Sequence, residues 1–180
     1  MQIKNSSERY GIIATLLHWG MAILIIGLLA LGLYMGKLEM SPDKLKLYGL
    51  HKSFGACVLF VVTFRALWRI TNIIPPMPNT IPKLQQLAAH MAHYALYFFM
   101  IAMPLSGWLM SSAAGFPVSV FGLFTLPDLI AANQEQKHFL KEAHEFMAYG
   151  LIFTIVAHAG AALKHHFINK DDILRRMLPW

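Results

Sequence analysis

Apolar positions run in long blocks, interrupted by short polar stretches. Four blocks are long enough to cross about 30 Å of hydrocarbon at 1.5 Å per residue: residues 11–36, 49–70, 84–110 and 138–167. Each is continuous enough to read as a spanning helix. The pattern therefore predicts an all-α integral membrane four-helix bundle, up-down-up-down, built as a single transmembrane domain over residues 1–180. The connection at 73–82 holds four prolines and predicts a stiff hairpin. Pro104 predicts a kink in the third span. The connection at 111–136 is long and half apolar, so it is expected to lie on the membrane surface, as a short interfacial helix that lids the bundle.

Composition agrees with this pattern. Of the 180 residues 57% are hydrophobic and 13% charged, which sets the chain apart from both soluble domains and disordered ones. The net charge of +6 comes from basic residues between the apolar runs. They form no continuous basic stripe with interleaved aromatics, so nucleic acid is not an expected partner; membrane lipid is. Nine Lys and Arg fall at the N-terminus, the second connection and the C-terminus, against six on the other side, which predicts cytoplasmic termini. Arg175 and Arg176 read as a headgroup anchor there. The first apolar run, 26 residues from Gly11 to Gly36, is too long for the core of a secretory signal and is expected to stay as a span. A single cysteine, Cys57, excludes an intrachain disulfide and any cysteine-built metal cluster.

The candidate chemistry lies in the histidines. His144 and His158, fourteen residues apart in the last span, sit about 21 Å apart along a helix axis and only about 40° apart around it. A polar ring in hydrocarbon is costly and calls for a partner. His18 enters the first span at the depth of His158, and His51 enters the second near the depth of His144. Two such couples stacked across the membrane are what two bis-imidazole haem b groups require, and haem held without cysteine needs no C-x-x-C-H motif. Zinc is the competing metal, although two imidazoles do not complete a tetrahedral site. Each of the four histidines is followed four residues later by Ala or Gly (Ala22, Gly55, Ala148, Ala162), which lets a flat ring approach the helix.

Several stretches together resemble the bacterial cytochrome b561 family, four-helix di-haem b proteins of the inner membrane, over nearly the whole chain. They are LLHWG at 16–20, LHKSFG at 50–55, R-x-x-W-R ending the second span at Arg69, and AAHMAHYALYFFMIAMPLSGW at 88–108. GFPVSVFG at 115–122, EAHEF at 142–146 and AHAGAALKHHFINKDDILRRM at 157–177 complete the set. The resemblance implies His18 with His158 as ligands of the cytoplasmic haem and His51 with His144 as ligands of the outer one. It also implies electron transfer, in one relative as a superoxide:ubiquinone oxidoreductase drawing on periplasmic superoxide.

Other residues carry two readings each. Arg65, on the His51 face at the level of the cytoplasmic haem, either contacts a haem propionate or a quinone oxygen, or snorkels to the surface; Arg69 follows one turn on. His93, with His90, Tyr94 and Tyr97, either serves a propionate or a quinone's protons, or belongs to an interfacial belt. Lys52 and Lys141, with Lys137, could steer an anionic substrate such as superoxide toward the outer haem, although acids on that side balance their charge. Two alternatives to the oxidoreductase stay open. One is a non-catalytic cytochrome b subunit relaying electrons between quinol and a periplasmic redox protein docked on 111–136; the other is a histidine-lined metal transporter.

Overall fold

The computed structural model describes residues 2–78 and 80–178. Met1, Pro179, Trp180 and Asn79, the last within the proline-rich connection, lie outside the described residues.

Four helices, α1 (Ile12–Lys37), α2 (Pro42–Thr71), α3 (Lys83–Ala113) and α4 (Gln134–Lys164), follow one another in chain order, each long and apolar enough to cross a membrane. Their starts are written in local chemistry. At α2 the Ser41 side chain accepts the Lys44 amide and Pro42 occupies the first turn; at α4 the Asn133 side chain accepts the Gln136 amide. Both helices thus begin several residues before their apolar stretches, because a cap sets where the helix starts while hydropathy sets only where lipid begins. The four-residue connection from α1 to α2 is tightened by Lys44, whose ammonium donates to the Leu38 carbonyl at 2.6 Å.

Consecutive helices pack on one another: α1 on α2, α2 on α3 and α3 on α4. The core they share is a mid-bundle layer of Met21 and Ile25 from α1, Val58 and Val62 from α2, Met100 from α3 and Leu151 from α4. Among the described residues Leu151 is the one fully buried member of α4. It stands seven residues from His144 and seven from His158, so the apolar layer separates the two histidine levels. Phe99 of α3 closes against α4 at Gly150, where a Cβ would come within 2.7 Å of the ring.

The connection after α3 corrects the expected interfacial helix. Residues 119–120 and 124–125 form a two-stranded antiparallel hairpin, Ser119 opposite Thr125 and Val120 opposite Phe124. Gly115 and Gly122 at φ of 72° and 73° break any helical run. The alternation of Val118 and Val120 buries one side of the segment beside Ala56 of α2, with Trp108 and Leu126 packed around it. Phe121 also takes a positive φ, 52°, which is unfavourable for an aromatic residue. Its amide is held by the Ser53 hydroxyl at 3.0 Å, and its ring meets Phe54 edge-on with centroids 5.1 Å apart. The segment is fastened further by Trp108 Nε1 donating to the Pro127 carbonyl and by Ser112 accepting the Leu129 amide.

At the other face, α4 passes into one π-helical turn (His165–Asn169), and the chain reverses at Lys170 with a left-handed φ of 56°. The tail crosses beneath the bundle. Tyr10 donates its amide to the Arg176 carbonyl, Trp19 Nε1 donates to the Met177 carbonyl, and Arg176 Nη1 donates to the Pro76 carbonyl.

Candidate functional site: two imidazole couples within the bundle

The four histidines meet as two couples. His18 of α1 and His158 of α4 have ring centroids 6.1 Å apart, and His51 of α2 and His144 of α4 have theirs 6.4 Å apart. Neither couple joins chain-consecutive helices: each reaches from α4 to a helix other than its main packing partner α3. Two imidazoles bonded to opposite sides of one metal ion at about 2 Å each place their ring centres roughly 6 Å apart. Both couples fit that arrangement. Among the described residues no three or more His, Cys, Asp or Glu are gathered to hold a bare ion. The donor set therefore suits a metal whose remaining positions are filled by a macrocycle.

The couple near the hairpin is built in detail. Ser106 Oγ lies 2.8 Å from the Met103 carbonyl and 2.8 Å from His144 Nδ1. A hydroxyl has one proton, and the carbonyl can only accept it. The His144 contact is then an Nδ1–H donated to Ser106, which leaves the Nε2 lone pair free to bind a metal. Gly107, the next residue, lets that ring lie against α3: a Cβ there would come within 3.3 Å of His144 Cε1. Gly32 of α1 does the same for His51, whose Cε1 would lie 3.4 Å from an added Cβ. His51 Nδ1 is buried and has no hydrogen-bond partner.

The couple near the termini has a polar surround. Arg65 Nη2 is 3.2 Å from His18 Nδ1, and its Nε donates to the Tyr97 hydroxyl at 3.3 Å. Arg69 stacks over Tyr97 with its guanidinium carbon 5.9 Å from the ring centre. His93 of α3 lies beside His158 with centroids 5.3 Å apart. The residues singled out in the sequence on this side, Arg65 and His93, thus gather at one couple, with Tyr97 linking Arg65 to Arg69.

The two lysines are placed differently. Lys52, half-buried, lies within hydrogen-bond reach of Ser111 Oγ at 3.1 Å and of the carbonyls of Phe116 and Pro117 at 3.3 and 3.2 Å. It pins the segment that folds over the end of α2. Lys141 pairs with Glu145 at 2.7 Å on the exposed side of α4, one turn before His144. Ser106, Gly107 and Gly32 were not singled out in the sequence. The first two stand side by side in the PLSGW stretch, where a Ser–Gly step two residues after a helical proline was the available signal.

Comparison with known proteins follows from this geometry. The sequence profile of the family described as prokaryotic cytochrome b561 matches residues 9–180. Cytochrome b561 homolog 2 of Escherichia coli K12 is 41% identical over 186 aligned positions, covering 99% of this chain and 95% of that protein. Cytochrome b561 homolog 1 of the same organism is 40% identical over 108, covering 60% and 58%. A Yersinia pestis protein named "Probable superoxide oxidase CybB" is 34% identical over 131, covering 72% of this chain and 73% of its own length. With four spanning helices and a profile match over nearly its whole length, this chain belongs to the prokaryotic cytochrome b561 family, multi-pass membrane electron-transfer proteins that carry haem b.

Proposed function

We propose that this protein binds two haem b groups, one between His18 and His158 and one between His51 and His144, and passes single electrons between the periplasmic face and the ubiquinone pool of the bacterial inner membrane. The observation that carries this reading is the pair of imidazole couples at 6.1 and 6.4 Å, set at two levels of one helix. The basic residues at the terminal face support cytoplasmic termini, and hence an outer couple under the hairpin. Each haem supplies a site that stores and releases one electron.

The reaction proposed is superoxide:ubiquinone oxidoreduction. The Yersinia relative's name supports superoxide as the donor. Two superoxide anions each give up one electron at the outer face and leave as dioxygen. A quinone near the inner couple takes both electrons, with two protons from the cytoplasmic side.

The chain's own part in this follows from its side chains. The Ser106 hydroxyl holds His144 in the tautomer that offers Nε2. Binding through His18 Nε2 puts that ring's proton on Nδ1, where a guanidinium has nothing to accept it with. Arg65 would then be able to offer its donors to a haem propionate or a quinone oxygen. His93, beside His158, is a group able to hand a proton to a reduced quinone. Lys52 acts through the hairpin it fastens, and Lys141 adds positive charge at the outer mouth, offset in part by Glu145.

Pyridine haemochrome quantification of the purified protein tests the first claim: two haem b per chain are expected, and His144→Ala should keep one. A His144→Ala protein that retains two excludes this ligand set. Stopped-flow addition of superoxide tests the second. Fast haem reduction in the isolated protein is expected, whereas reduction only after adding a periplasmic redox protein would make this chain a relay subunit.

A further inference from the structure

Where the tail crosses beneath the bundle it leaves an open depression of about 700 Å³, lined by Glu8, Arg9, His166, Asp172, Arg175, Arg176 and Leu178. Three guanidiniums and an imidazole line it beside two carboxylates, and of the guanidiniums Arg9 is already engaged within the protein. His166 lines the same wall, with its Nδ1 shut off from solvent and lacking a hydrogen-bond partner. Arg175 meets Asp172 only loosely, at 3.6 Å, and both side chains are about two-thirds exposed (69% and 71%). Its donors remain available, whereas Arg176 is partly committed to the Pro76 carbonyl.

A second depression of about 390 Å³ shares Glu8, Arg9 and Leu178 with the first and runs inward to Tyr10 and the buried Thr15. The two together are far larger than an inorganic anion needs. The level is that of lipid headgroups, since α1 starts at Ile12 and α4 ends at Lys164. Guanidinium forks match phosphate oxygens, and basic pockets at the ends of spanning helices suit anionic headgroups.

We propose that this double depression is a binding site for the phosphate of an anionic phospholipid, with Arg175, Arg176 and His166 on the phosphodiester and the Leu178–Thr15 recess taking the glycerol region. The site is independent of the haem assignment. It joins the N-terminal segment, the tail and a lipid, so it would hold the terminal cap closed over the inner end of the bundle.

Native mass spectrometry of the purified holoprotein, titrated in detergent with phosphatidylglycerol or phosphatidylcholine, tests the proposal. Binding should favour phosphatidylglycerol. Arg175→Gln should weaken it about fivefold, and Asp172→Asn, which removes a competing carboxylate, should strengthen it by a similar factor. Both substitutions are at exposed positions, and unchanged thermal unfolding of the apo-lipid protein checks that they fold. Equal affinity for the two lipids, or phosphatidylglycerol binding indifferent to both substitutions, overturns the site. Inorganic phosphate serves as the competitor: millimolar phosphate should displace the lipid only partly. Saturable phosphate binding without any lipid preference would leave a soluble anion as the occupant and overturn the lipid assignment.

Discussion

Ser106 and Gly107 show how much one turn of helix can decide. A hydrogen bond from an imidazole Nδ1–H makes the opposite nitrogen a stronger electron donor, which favours the oxidised metal. If a haem sits between His51 and His144 as proposed, removing the acceptor with Ser106→Ala should raise its midpoint potential, by roughly tens of millivolts for a hydrogen bond of about 1 kcal/mol. Potentiometric titration would resolve it, with the other haem unmoved as internal control. Gly107→Val tests space and not polarity. Even a Cβ there lies 3.3 Å from the His144 ring, so the larger side chain should push the ring away and lower haem content from the proposed two toward one per chain. The four histidines themselves were legible in the sequence, because their partnership follows from depth along straight helices. Ser106, Gly107 and Gly32 were not, since what each does depends on which residue of another helix lies opposite, and spacing within one helix does not reveal that. Lys52 shows the same limit. Its charge was legible, but its engagement with the Phe116 and Pro117 carbonyls arises only once the chain folds back.

Among the elements, α4 carries the greatest burden, offering a ring to each couple and a flat contact to α3 between them. Gly150 makes that contact possible. In Gly150→Ala the new methyl would lie 2.7 Å from Phe99 Cζ, and the partly buried ring is packed against the central layer. The substitution should destabilise the bundle by about 1–3 kcal/mol in detergent unfolding, and Phe99→Leu in the same chain should recover most of the loss. All four spanning helices were legible from hydropathy. Their first residues were not, because Ser41 and Asn133 start α2 and α4 by capping in polar sequence. The segment after α3 misled for a related reason: its apolar content fits an interfacial helix, while the glycines at 115 and 122 and the Val118/Val120 alternation favour a hairpin. Length and hydropathy weigh composition over several turns, and here single backbone positions decide.

For the molecule as a whole, the central layer of Met21, Ile25, Val58, Val62, Met100 and Leu151 is the part that binds the two halves into one function. Its existence follows from the sequence only in outline, as apolar residues between two histidine levels; which six side chains meet is a result of the packing. These side chains offer a proton no station, so on the proposed reaction only an electron would pass between the two couples. On the proposed reaction, each transfer then moves one negative charge inward with nothing to compensate it. Turnover would polarise the membrane and in turn be restrained by it, at about 2.3 kcal/mol per charge for each 100 mV crossed in full. Reconstituted in sealed vesicles, the protein should slow as the inside becomes negative and speed up when valinomycin and potassium dissipate the voltage. On that reaction, a layer of six hydrocarbon and thioether side chains would make the protein a small generator, whose rate reports the electrical state of the cell.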